Sequence, residues 1–328
     1  MGLEKERVDV LENTIRRHNN LLEILLMDRT RSTGQKTHNI LWATDSYRGH
    51  KPKDEIEIPD ITGSNTYLIQ PRIAKTKEEQ KSRTKDKAEV FTPTSIVGDM
   101  NKQIDWSSEH WPVTKDNWQE YIKENRLEIT CGEAPFIVNR YNAANGKKVR
   151  TLDDRVGFLD RKLQFVSRFC DDKESWLKWT TIAFQCSYGY EWQGDNLLLA
   201  RENLLYTFID YWNDKFPNDK INLDRQVSPD KMEILLEIAK IISWNIFQMD
   251  GIKYVIPMSC RHEVVTEEIP PMLIMLGEKP TVSKNECPGC KNNDPFLHNG
   301  KYVKIMDWEK NKIIKFVSLL NKEGKNER

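Results

Sequence analysis

The sequence predicts an α/β fold, a three-layer arrangement in which helices flank a mostly parallel sheet. Three observations predict it. Residues 127–130, 188–191 and 246–250 are short runs that close on an acid or a tight turn, as strands do. Longer stretches of helical periodicity separate them, and a crossover of that length joins parallel rather than antiparallel neighbours. A chain of 328 residues can also bury a substantial core, which favours one large domain with decorations over two smaller units.

Composition narrows the function classes. Lys and Arg total 50 against 50 for Asp and Glu, so the formal net charge is zero and no global field draws the chain to nucleic acid. Any DNA contact must be local. No apolar run approaches the length of a membrane span, and residues 1–6 precede no apolar core of a secretory signal, which predicts a cytoplasmic protein without membrane contact. The six cysteines, at 131, 170, 186, 260, 287 and 290, are too scattered for a secreted disulfide framework and point to reducing surroundings. A charged fraction of 30% against a hydrophobic one of 38% predicts large solvated insertions, while ten tryptophans argue against wholesale disorder.

In chain order, Val8, Leu11, Ile15, Leu22, Leu25 and Leu26 recur at helical spacing and predict an amphipathic helix over 8–27 that packs on the main domain. Residues 39–44 read as a short strand, and the polar stretch to Asp60 as a loop. Residues 72–87 carry almost nothing apolar, and a solvated helix is the expected form. The alternative there is a phosphate-touching patch of Lys75, Lys77, Lys81, Arg83, Lys85 and Lys87, diluted by Glu78, Glu79 and Asp86. Further on, Thr92 can cap a helix that Pro93 opens and that Ile96, Val97 and Met100 make apolar on one side. The stretch 106–124 reads as an insertion whose helix carries Trp118, Tyr121 and Ile122, with Trp106 and Trp111 packing it onto the domain.

The turn after the first strand organises the central part of the chain. Glu128 lies near the strand's end, Cys131 and Gly132 supply a turn able to reach φ > 0, and Pro135 stands where a new helix would begin over 136–141. Such a turn can cradle a ligand, with an anion favoured at the helix N-terminus; the bland reading is an ordinary strand-to-helix connection. Residues 155–169 predict another helical stretch. Glu191 closes the second strand ahead of a helix starting near Asp195, and an acid there can accept both hydroxyls of a ribose, as in dinucleotide-binding folds. Trp192 could lie against an adenine ring. A helix over 235–244 leads to the third strand, where Asp250 either meets a ligand or caps the turn at Gly251.

Together, Phe91-Thr92-Pro93, the turn from Glu128 to Pro135, Glu191-Trp192 with Ala200-Arg201-Glu202-Asn203-Leu204 behind it, and Asp250 resemble a known family. Their order and spacing are similar to the gamma-type order of the amino-methyltransferases that move a methyl group from S-adenosylmethionine to the exocyclic nitrogen of DNA adenine. The resemblance covers residues 88 to about 252 and implies a Rossmann-like methyltransferase sheet. It implies a cofactor site formed by Phe91, Thr92, Pro93, Glu128, Cys131, Gly132, Glu191, Trp192 and Asp250. The methionine part would lie near Phe91, Thr92 and Gly132, the ribose on Glu191, and the adenine between Trp192 and Asp250. Ala134 and Ile129 depart from the family's pattern, which has glycine and proline there.

The family holds its flipped base with Asn or Asp, two prolines and Tyr or Phe, and no such tetrapeptide occurs in this chain. Asn293-Asp294-Pro295-Phe296 is the nearest text; it reads as a turn, with Asp294, Pro295 and Phe296 as the catalytic candidates. The resemblance therefore implies the cofactor-binding part of a restriction-modification methyltransferase, with DNA as partner and a second chain supplying catalysis and target reading. The rival expectation is a catalytically inert protein of the same fold that binds DNA or another protein. Separately, Cys287-Pro288-Gly289-Cys290 bends two thiols towards one point, and Cys260 with His298 or His262 could complete a structural zinc site. Free thiols in a tight turn are the alternative. The expected organisation is a helical or extended region over 1–87, a cofactor-binding core over 88–255, and a small Cys-containing region over 256–328.

Overall fold

The computed structural model describes residues 13–87, 92–142, 145–261, 263–266, 272 and 282–320. The chain forms two compact units, Met1–Gln248 and Met249–Arg328. At the centre of the first is a parallel sheet of three strands in the order β1 (Arg126–Glu128), β2 (Ser187–Glu191), β3 (Ile246–Gln248). These are the three segments the sequence marks as strands, although the first and third stop short of the expected ends. The protein is thus mixed α/β with parallel neighbours joined by helical crossovers.

Ahead of β1 run α1 (Asn19–Leu26), the single turn α2 (Ile58–Ile61), α3 (Lys77–Lys87), α4 (Thr94–Trp106) and α5 (Trp118–Lys123). Two helices, α6 (Phe158–Phe169) and α7 (Lys173–Gln185), cross from β1 to β2; α8 (Gly194–Lys215) and α9 (Pro229–Asn245) cross from β2 to β3. The core lies where α7, α8 and α9 meet the sheet. Trp176 of α7 sets its ring edge-on to Trp212 of α8 at 5.8 Å, and Leu197, Leu198, Leu204, Leu205 and Phe208 are fully or almost fully buried beside them. Each such apolar side chain removed from water contributes roughly 1.5–3 kcal/mol before the entropy of ordering it. Arg201 is buried among these without an acid in contact. Its guanidinium donates to the carbonyls of Leu25, Met27, Ser243 and Ile246, so one side chain ties α1, α9 and β3 together. Burial pushes its pKa down to about 9.

Several expectations change. The helix expected over 8–27 is, within the described residues, a 3₁₀ turn at Ile15–Arg17 and then α1, with a break at His18. Two anchors explain the break: Arg16 pairs with buried Glu202 at 2.7 Å, and the His18 ring meets the Leu223 carbonyl at 2.9 Å. As expected, the apolar face (Leu21, Leu22, Leu25, Leu26) packs within the unit, against α9. Residues 39–44 are not a strand. Leu41 forms a lone bridge with Glu55, and its N–H and C=O are taken by the Gln248 side chain of β3, each at 2.8 Å. Helix α4 begins one residue later than expected, with Pro93 as its N-cap and no side-chain cap. In place of the helix expected over 136–141, the chain turns at Phe136 and Ile137, runs irregularly, and ends in a lone antiparallel bridge from Tyr141 to Lys148. Trp118, Tyr121 and Ile122 are buried as expected, but Trp106 stays 59% exposed.

In the second unit, β4 (Glu263–Thr266) and β5 (Val282–Asn285) pair antiparallel, α10 (Pro288–Asn292) follows, and β6 (Lys304–Asp307) and β7 (Lys312–Lys315) form a hairpin. The Tyr254 and Phe316 rings stack at 6.1 Å, with Val303 N–H on the Tyr254 carbonyl, which fixes the base of the hairpin.

Candidate functional site

The C-terminal ends of parallel strands are where open α/β sheets gather ligand-binding groups. Here that edge is a knot of carboxylates and backbone N–H groups. Beyond β1, Cys131 N–H still reaches the Tyr190 carbonyl at 2.8 Å, and then Thr130, Gly132 and Ala134 take positive φ values of 46, 55 and 65°. Only glycine takes that region freely, so Thr130 and Ala134 store strain, each costing of the order of 1–3 kcal/mol, and such strain concentrates at functional turns. Glu128 does what a helix start would have done. Its carboxylate accepts the N–H groups of Phe136 and Ile137 at 3.3 and 3.1 Å, satisfying the segment in a turn conformation. Cys131 packs beside it with 1% exposure.

Glu191, 7% exposed at the tip of β2, accepts Gly132 N–H at 2.8 Å and Gln193 N–H at 3.1 Å. Burial drives its pKa up to about 7, against the lowering effect of those two donors. Four residues on, Asp195 is held the other way: Lys75 and Arg83 outweigh its burial and keep the carboxyl below its ordinary range. Arg83 Nη2 lies 2.8 Å from its Oδ2, Tyr47 Oη 2.7 Å and Lys75 Nζ 3.5 Å. Two neighbouring acids with separated pKa values can keep one proton at neutral pH on Glu191 while Asp195 stays ionised.

Sequence reasoning missed Asp195 and its partners. The first-turn acid of α8 is visible in the sequence, but Lys75 and Arg83 look like part of a solvated face, and only the fold shows them buried. The reason is spatial. The stretch from Leu41 to Arg83 lies over the strand ends: Trp192 donates its indole N–H to the Ala43 carbonyl at 3.1 Å, and Arg72 N–H binds Glu133 at 2.7 Å. Gly194 N–H meets the Trp42 carbonyl at 3.0 Å, and a Cβ on Gly194 would stand 2.0 Å from the Leu41 carbonyl oxygen. Tyr141 Oη closes the turn from the other side by donating to Glu133.

Of the expected cofactor residues, Glu128, Cys131, Gly132, Glu191 and Trp192 gather at this edge. Thr92 and Pro93 lead into α4, and Phe91 lies outside the described residues. Asp250 belongs to the second unit, where its carboxylate accepts Ile252 N–H and Lys253 N–H, each at 3.1 Å, and so caps its own turn. Cavities of about 670 and 770 Å³ flank Asp210 of α8; neither is lined by Glu191, Gly132 or Trp192.

No family model, curated protein or solved structure matches the chain.

A second site lies wholly in the second unit. The side chains of Cys260, Cys287, Cys290 and His298 converge, each ligand atom within 4.8 Å of the others, close enough to hold one metal ion. His298 Nδ1 is 3.6, 3.6 and 3.7 Å from the sulfurs of Cys260, Cys287 and Cys290. The alternative ligand His262 is outside the described residues. Local sequence makes the convergence possible. Pro288 starts α10, and Gly289 leaves room for His298, whose ring and backbone N would stand 2.6 Å from any Cβ there. Burial raises the Cys287 thiol, but the N–H groups of Asn299 and Cys290 and the His298 ring outweigh it and lower its pKa to about 6. The catalytic candidates Asp294, Pro295 and Phe296 form the turn between Cys290 and His298. Phe296 N–H caps onto Asp294 at 2.8 Å, and the Pro295 carbonyl accepts Tyr302 Oη at 2.9 Å.

Proposed function

We propose that this protein is the S-adenosylmethionine-binding part of a DNA adenine-N6 methyltransferase of restriction-modification type. On this reading a second chain supplies the groups that hold the flipped base. The observation that carries the reading is Glu191: a buried acid at the tip of the middle strand, facing the strained Gly132 turn at the end of its parallel neighbour. That is the geometry a nucleoside needs, since a ribose diol requires a paired acceptor and the turn lets a ligand approach the backbone. Support also comes from the order of the parallel sheet, in which the strands carrying these motifs are direct neighbours. DNA is the substrate class by the resemblance of motifs. The base-holding tetrapeptide is not in the chain, so the methyl acceptor would be presented elsewhere.

One observation favours the inert-scaffold reading. The stretch Leu41–Arg83 covers the strand ends and satisfies Trp192, Asp195 and Glu133 with protein groups. Titration calorimetry separates the two: the cofactor reading predicts saturable heat with S-adenosylmethionine, and its absence at about millimolar ligand, near −4 kcal/mol of binding, leaves the scaffold.

We further propose that the three cysteines and His298 hold a structural zinc ion. A tetrahedral ion with Zn–S of about 2.3 Å and Zn–N of about 2.05 Å sets its sulfur and nitrogen ligands about 3.6 Å apart. The observed separations of 3.6–3.7 Å match. Four protein ligands close the coordination sphere, which suits a structural rather than a catalytic ion. Metal analysis of protein purified without chelator tests it.

A further inference from the structure

We propose that two copies of this chain associate through helix α4, packed antiparallel about a two-fold axis at Met100. The inference goes beyond the methyl-transfer reading and uses none of its cofactor residues. A surface helix ordinarily turns its apolar stripe to the core and its polar side to water. Helix α4 does otherwise. Beside Val97 and Gly98, it buries Asn101 and Asp105. Asn101 Nδ2 donates to the carbonyls of Phe136 and Val156 at 3.0 and 2.8 Å, and Asp105 accepts Tyr121 Oη at 2.6 Å and Arg126 Nη1 at 2.7 Å. Polar anchors therefore hold the helix down, while Ile96, Met100 and Ile104 stay 48, 52 and 43% exposed. Their four-residue spacing sets them on one ridge, so they form a row, unlike the scattered apolar residues that any surface shows.

The row is its own complement. It reads the same in both directions from Met100, with an isoleucine four residues before and four after. A two-fold interface needs such a patch, because each contact from residue i to residue j is repeated from j to i. Reversing a second copy about an axis at Met100 sets Met100 against itself and Ile96 against Ile104 of the copy. The charges on the flank follow the same symmetry. Asp99 and Lys102, 76 and 51% exposed, pair with each other at 3.4 Å within the helix. Asp99 lies one residue before Met100 and Lys102 two after it, so the reversed copy brings its Lys102 within about 1.5 Å of the level of Asp99, on both sides of the axis. Opposite charges thus meet across the rim, and like charges do not. The three apolar side chains with flanking Asp99, Lys102 and Gln103 would remove about 1,000 Å² from water in the pair, the low end for a specific interface. The dimer is accordingly weak, with a dissociation constant on the order of 10–100 μM.

The test is sedimentation equilibrium of the full chain, whose mean mass should rise from one chain towards two over about 1–300 μM. Met100→Lys puts two ammonium groups at the axis and should weaken association by about tenfold or more. Asp99→Lys alone should weaken it by about twofold to fivefold, and adding Lys102→Asp should restore it, because the swap keeps the pairing. Ile252→Asp, at a residue 78% exposed in the second unit, should leave association unchanged. Circular dichroism checks that each variant is folded. A residue on the axis meets its own copy, so oxidised Met100→Cys should form a disulfide-linked dimer beyond any the parent forms, and Ile96→Cys alone should not. A single-chain mass at every concentration overturns the proposal and leaves the row to a different protein. A dimer that Met100→Lys does not weaken, or equal cross-linking through Ile96→Cys, also overturns it by placing the interface or its axis elsewhere.

Discussion

Glu191 is a buried carboxyl held by two backbone N–H groups, and this gives it a structural role that a pocket-facing strand tip would not have. An acid that only faced a ribose would affect ligand binding alone when lost. The geometry adds a folding cost, because Glu191→Ala orphans two N–H donors at about 1–3 kcal/mol each if both stay buried. Its titration gives a sharper sign. The folded pKa near 7 lies above the ordinary 4.5, so its stabilising contribution is complete below about pH 4.5 and is lost as pH rises through 7. The loss amounts to about 3 kcal/mol, at 1.36 kcal/mol per unit. Glu191→Gln removes that dependence. Urea midpoints should show the variant more stable than the parent at pH 8 and the two converging near pH 4.5; parallel curves would mean that Glu191 does not titrate in this range. Gly194 allows a second test at this scale. With the Leu41 carbonyl oxygen 2.0 Å from where a methyl group on Gly194 would stand, Gly194→Ala must displace the covering stretch and should cost about 1–3 kcal/mol or more, read as a lower melting temperature.

Among the elements, the metal loop and the sheet differ in how far the sequence foretells them. The Cys-x-x-Cys spacing carries its own geometry, so two ligands are legible, and Cys260 and His298 join them because few other soft ligands lie in the region. The helix expected after Pro135 does not form, for a reason outside local pattern: the Glu128 side chain supplies hydrogen bonds to Phe136 and Ile137 that stabilise a turn instead. Lys75 and Arg83 read as solvated because charge on a polar helix gives no hint of a buried acid over a hundred residues away. If the loop holds zinc, its folding depends on the ion, because structural metal binding contributes directly to folding free energy. Cys287→Ser should then yield protein with little or no bound zinc and with lost amide protection over residues 286–305, measured by hydrogen exchange. Full protection without metal would instead make the thiols a metal-free turn.

For the whole molecule, the strand order is legible because alternating strand and helix signals permit few parallel arrangements, and β1, β2 and β3 are neighbours as expected. What composition hides is the use of the N-terminal residues. Their polar character suggests a solvated extension, yet Trp42, Tyr47, Arg72 and Arg83 lie over the strand ends of the first unit and meet three of its acids or their neighbours. Whether that cover leaves room for a nucleoside decides between a cofactor-binding protein and a scaffold. The most direct measurement is titration calorimetry of the full chain with S-adenosylmethionine, repeated on Glu191→Gln. A saturable heat in the parent, weakened by roughly tenfold or more in the variant, about 1.4 kcal/mol, is the predicted result. No heat from the parent at about millimolar ligand, or equal affinity in both proteins, would contradict it.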